Sequence, residues 1–208
     1  TRPGARATCD TAKRYREGVS RAVVNKWQTL PIELEYDTFG DASHPPVVLI
    51  AGYGAQMISW REGFVEMLAD RGFFVVRFDN RDVGLSTKLD GVTVDIDAVT
   101  KAALFDEPVP PVPYTLSDMA ADTVGLMDHL GIGNAHIFGD SLGGMIAQVF
   151  AIEHPTRTRS LISMNSIPGE PEVMQSTPEA MVAILSVGPP DRAGFIEHDA
   201  HHNARVVN

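Results

Sequence analysis

The sequence is poor in cysteine, in long apolar runs and, beyond its first residues, in positive charge. Its one cysteine, Cys9, cannot close a disulfide within the chain, so nothing points to an oxidising compartment and a cytoplasmic location is the expectation. Cys9 has no histidine near it in sequence and is read as a free surface thiol rather than a nucleophile. No apolar run is long enough to span a bilayer, and no signal-peptide core opens the chain. Repeats and low-complexity tracts are also lacking, which excludes solenoid and fibrous classes.

The formal net charge of -10 is unevenly spread: residues 1–26 carry seven Lys/Arg against two Asp/Glu, leaving ten against 25 for the remainder. An acidic body excludes nucleic acid as the expected partner. The basic charges of the first segment are scattered rather than clustered, so it reads as a solvated leader and not as a nucleic-acid or membrane arm.

What remains is a globular composition, 44% hydrophobic and 21% charged over 208 residues, enough for one domain with a substantial core. From residue 31 strand-like and helix-like segments alternate, which predicts a mostly parallel sheet with helices on both faces, an α/β class. Residues 31–39 alternate apolar and polar side chains as a half-exposed strand does; 47–51, 73–78, 135–138 and 161–164 are apolar runs suited to buried strands. Trp60, Phe64, Val65, Met67 and Leu68 recur at helical spacing before Gly72, and further helices are expected from an N-cap at Ser117 to Leu130 and from Leu142 to His154. Residues 87–114, with four prolines, and 167–208 offer no strand; the second stretch reads as short helices at 179–186 and 191–204.

Gly139-Asp140-Ser141-Leu142-Gly143 matches the G-x-S-x-G turn in which a serine nucleophile sits between a strand and a helix. Composition alone would produce such a match in about 0.08 of chains like this one, so the flanking context has to decide. An apolar strand precedes it, and Met145, Ile146, Val149 and Phe150 give the next segment a helical apolar face. The rival reading is an ordinary strand–helix turn with Ser141 as a cap. In the nucleophile reading, the Leu142 N–H at the helix start faces an oxyanion formed on attack by Ser141, and the Tyr53 N–H in Ala51-Gly52-Tyr53-Gly54 is the candidate second donor.

Together with Asp79-Asn80-Arg81-Asp82-Val83-Gly84-Leu85-Ser86, these residues resemble the serine branch of the α/β-hydrolase family, esterases of the aclacinomycin-methylesterase type in particular. The resemblance covers residues 31 to about 166 and departs from the family at Ala51, where His is frequent, and at Asp82, where Gly is usual. It implies a turn-bracing role for Asp79, Arg81 and Asp82, and a division into a basic segment 1–26, an α/β-hydrolase core 27–166 and the start of a helical cap 167–208. It also implies two final strands, and a triad acid and histidine, that the sequence does not supply. The edge strand at 161–164 would then be covered by further residues, a second chain or a dimer.

Of the histidines, His154 ends a helix leading away from Ser141, while His44, His129 and His136 are isolated and read as structural. Glu197-His198-Asp199-Ala200-His201-His202 reads as a solvated helix face rather than a base or a metal site, there being no second ligand cluster. The expected function is cofactor-free, metal-free hydrolysis of a small, apolar carboxylic ester through Ser141. The alternatives are a cofactor-free haloperoxidase or perhydrolase, and a non-catalytic binding member of the fold. A dehalogenase is disfavoured because that branch carries aspartate at the position of Ser141.

Overall fold

The computed structural model describes residues 19–105 and 107–169, together with Val173 and Gly194. The chain divides into two units, Thr1–Ile167 and Pro168–Asn208, and the architecture given below is that of the first. A six-stranded sheet runs in the order β1-β2-β4-β3-β5-β6. Its strands are β1 (Ser20–Trp27), β2 (Leu30–Phe39), β3 (Pro46–Ile50), β4 (Phe74–Phe78), β5 (Ala135–Asp140) and β6 (Thr158–Met164). The pairs β1/β2 and β2/β4 are antiparallel, whereas β4, β3, β5 and β6 run parallel.

The apolar runs explain the layering. Val48, Ile50, Val76, Phe78 and Ile137 turn to one face, where they pack with Met119, Leu126, Ile146 and Phe150 from helices α3 (Leu116–His129) and α4 (Leu142–Glu153). Their strand neighbours Val47, Leu49 and Val75 turn to the other face, beneath Trp60 and Val65 at helix α1 (Glu62–Asp70). Full burial of a side chain such as Phe150 contributes about 1.5–3 kcal/mol, so a continuous layer of them outweighs any single polar contact. Arg77 is the charged exception on β4; it is buried with both oxygens of Asp37 at 2.8 and 2.7 Å and the Trp60 carbonyl as acceptors.

Several sequence boundaries shift. Residues 20–26, expected within the solvated basic segment, form most of β1 and pair with β2. The alternation that would have marked this strand is broken by a bulge between Val23 and Asn25, and its basic residues serve the exposed face: Arg21 meets Glu35 at 2.7 Å and Glu33 at 3.1 Å. Helix α3 starts two residues earlier than expected because Thr115 is the cap, in a reciprocal capping box with Asp118. Ser117 instead donates to Glu153 at 2.7 Å. Trp60 lies between a 3-10 turn at Met57–Ser59 and α1 rather than on the helix. Within the proline-containing stretch 87–114 a helix, α2 (Ile96–Phe105), forms after Asp95, whose carboxylate accepts the Ala98 N–H at 2.9 Å. The expected helices at 179–186 and 191–204 lie outside the described residues, as does Cys9.

β6 is the sheet's edge opposite β1 among the described residues, with Leu161, Ile162 and Met164 exposed. Among those residues no helix is long and apolar enough to cross a membrane.

Candidate active site

The parallel strands β3, β4 and β5 all end at one edge of the sheet, and the three loops leaving them meet there. After β5 the chain turns at Ser141, whose backbone holds φ 55 and ψ -121 before α4 begins at Leu142. A non-glycine residue in that region stores about 1–3 kcal/mol of strain, which only tight surroundings sustain. Those surroundings are bare of side chains. A Cβ on Gly139 would stand 1.9 Å from the Gly143 carbonyl oxygen, and one on Gly143 would stand 2.1 Å from the Ile50 carbonyl oxygen. The glycines therefore let α4 lie directly on β3 and β5, while the Ser141 N–H donates to Met164 O at 2.9 Å and its side chain faces solvent.

The loop leaving β3 closes over the serine. A Cβ on Gly52 would be 3.2 Å from the Asp140 carbonyl oxygen, 3.2 Å from the Ser141 Cβ and 3.7 Å from its Oγ, so the Gly52 backbone lies close against the serine turn. Gly52 to Ala55 form a turn, closed by the Ala55 N–H on Gly52 O at 3.2 Å with Gly54 at φ +64, which makes Tyr53 its second residue. The Tyr53 side chain is 79% exposed. Leu142 is the first residue of α4, so its N–H has no acceptor within the helix. Two candidate backbone donors thus flank Ser141.

The loop leaving β4 supports both. Asp79, fully buried, accepts the N–H groups of Met57 at 2.7 Å and Leu85 at 2.9 Å. Asn80 donates to Ala51 O at 3.0 Å, a contact that sequence reading missed because the middle residue of a D-x-R pattern carries no signal of its own. Arg81 pairs with Asp122 at 2.6 and 2.7 Å, both side chains buried, and lies 5.0 Å over the Tyr114 ring. Burial pushes the Asp122 carboxyl up, against the pull of Arg81. Asp82 has φ 64, a conformation natural to the glycine usual there and tolerated by aspartate. Its carboxylate accepts the Leu89 N–H at 2.7 Å. Burial, and then a hydrogen bond to Asp82, push the Tyr114 phenol up to about 12. A cavity of about 370 Å³ opens beside this pair, walled by Leu89, Val92, Val94 and Val112.

None of the described histidines joins Ser141. His154 stands at the far end of α4, about 18 Å along a helix of 12 residues. His136, near the start of β5, bonds Ser160 at 2.7 Å; His129 bonds the Tyr36 hydroxyl at 3.3 Å; His44 precedes β3 at the opposite edge. Asp140 accepts from Asn165 at 2.9 Å. The residues Glu197 to His202 lie outside the described residues, and among the described ones no group of three or more His, Cys, Asp or Glu is arranged to hold a metal ion.

The chain is 34% identical to the rhodomycin D methylesterase of Streptomyces peucetius over 133 residues, 64% of this chain and 39% of that protein. It is 27% identical to 3-oxoadipate enol-lactonase 2 of Acinetobacter baylyi over 135 residues, 65% of this chain and 42% of that protein. Among solved structures, the enol-lactonase from Burkholderia xenovorans superposes with a TM-score of 0.56 at 28% identity, over 80% of this chain and 54% of that one. The chain thus spans 39–42% of the length of these curated relatives. The family model described as alpha/beta hydrolase fold matches residues 45–206, which include β3 to β6 and the Ser141 turn, and the chain belongs to that family.

Proposed function

We propose that the protein hydrolyses carboxylic esters through an acyl-enzyme on Ser141. Ser141 Oγ attacks the ester carbonyl, and its proton passes to a base outside the described residues. The carbonyl oxygen takes the negative charge. The tetrahedral adduct collapses by expelling the alcohol, which takes up that proton, and water then releases the acid from Ser141. The N–H groups of Tyr53 and Leu142 hold the oxyanion, a function in which one donor is worth about 100-fold or more in rate.

The observation that carries this reading is the strained Ser141 backbone with the Gly52 loop pressed against it. A mere helix cap would need neither: Ser141 makes no side-chain cap bond. The methylesterase and enol-lactonase names of the relatives point the same way, as both denote attack on an acyl carbon.

A fluorophosphonate should label Ser141 alone, and Ser141→Ala should abolish p-nitrophenyl ester turnover while leaving the thermal midpoint near the parent's. Labelling at another residue, or turnover surviving in Ser141→Ala, would remove Ser141 from its role.

A further inference from the structure

The loop that leans on Ser141 is gripped at both ends by consecutive residues of another strand's loop. At its start, Ala51 O accepts from Asn80 Nδ2 at 3.0 Å; at its far end, the Met57 N–H donates to Asp79 Oδ1 at 2.7 Å. All four residues are buried, none more than 3% exposed. The five residues between, 52–56, include the Gly52 that touches Ser141 and the exposed Tyr53. Asp79 is itself tied down, its N–H donating to Glu35 O at 2.9 Å and its carbonyl accepting from Ser86 Oγ at 2.6 Å.

We infer that Asp79 and Asn80 form a two-point clamp that sets the position of the Gly52–Tyr53 backbone over Ser141, and that Asn80 is a positioning residue for the oxyanion donor. The inference rests on the proposed acyl-enzyme chemistry. A five-residue segment with two glycines, exposed at Tyr53, Gly54 and Gln56, would otherwise sample several conformations, because glycine resists none of them. Oxyanion stabilisation needs a donor already in place when charge develops, so slack in this turn lowers the rate of the chemical step and leaves ground-state binding almost untouched. Of the two clamp residues Asn80 is the informative one. Asp79 also holds Leu85, and its loss would disturb the whole segment, whereas the one Asn80 side-chain bond described runs to Ala51.

The test uses Asn80→Asp, which keeps the shape and loses the donor, and Asn80→Leu, with Asn80→Ala in reserve should either fail to fold. Leu126→Ala, a core truncation in α3, controls for loss of stability alone. Amide hydrogen exchange should quicken at Ala55, whose N–H closes the turn on Gly52 O, in the Asn80 variants and not in Leu126→Ala. The kcat for p-nitrophenyl butyrate and the rate of fluorophosphonate labelling should fall about tenfold or more, with KM held within about twofold. Unchanged loop exchange overturns the clamp, and quickened exchange with unchanged kcat overturns the positioning role. A parent protein that no fluorophosphonate labels would sink the acyl-enzyme reading instead, and exchange alone would then decide the clamp.

Discussion

Adding one methyl group at Gly143 should damage both stability and activity, and by amounts the geometry sets. The new Cβ would stand 2.1 Å from Ile50 O and 2.7 Å from Ala51 O, both main-chain atoms that cannot rotate away. Restoring ordinary contact requires α4 to lift from β3 by about 1 Å. Overpacking of this kind costs about 1–3 kcal/mol. For a domain of this size that corresponds to a fall of about 2–12 °C in Tm. The same lift separates the Leu142 N–H, which moves with α4, from the Gly52–Tyr53 loop, which stays with β3; a misplacement of about 1 Å costs on the order of 100-fold in rate. Gly63→Ala is the matched control. It lies in α1 with open space where its Cβ would go, so it should leave stability unchanged or raise it by up to about 1 kcal/mol. Thermal melts and fluorophosphonate labelling rates of the two variants, measured side by side, decide the matter. If Gly143→Ala melts with Gly63→Ala and labels within twofold of it, the contact of α4 on β3 does not govern the serine.

Further outcomes follow from the same loops. Tyr53→Phe should keep most esterase activity. Tyr53→Pro, which suits the second position of the turn but lacks an N–H, should lose about 100-fold; equal losses would mean that the phenol acts in the chemistry. Arg81→Met should cost about 3–5 kcal/mol in a denaturant titration by stranding the buried Asp122, and adding Asp122→Leu should recover much of it. A double variant as unstable as the single one would refute this. Because the Tyr114 phenol is pushed up to about 12, above its unfolded value of about 10, its contribution is complete below pH 10 and is lost as the pH rises toward 12. Tyr114→Phe should therefore flatten the stability curve over that window, and a curve superposing on the parent's would contradict the assignment.

The α/β class and the serine turn were legible in local sequence because each depends on neighbours in the chain. Alternating burial reveals β2, apolar runs reveal β3 to β6, and the glycines at 139 and 143 mark a turn too crowded for side chains. β1 was not legible, since its bulge breaks the period that identifies a strand and its basic residues mimic a solvated segment. Its membership is decided by partners elsewhere: β2 across the hairpin, and α3, where a Cβ on Gly125 would stand 2.1 Å from the Val24 carbonyl oxygen, so only glycine lets the strand lie this close. The helix at 96–105 escaped notice among prolines for the converse reason, its cap Asp95 being a single local bond.

The candidate site divides in the same way. Ser141, Leu142 and Tyr53 could be named from motif and spacing, because a strand–turn–helix unit carries its own backbone geometry wherever it is placed. That Gly52 touches Ser141 across 89 positions of sequence, that Asn80 and Asp79 hold both ends of its loop, and that four of the histidines face elsewhere are results of strand order. Parallel pairing puts those three loop ends at one edge, the insertion of β3 between β4 and β5 sets them side by side, and no local pattern encodes which strands become neighbours.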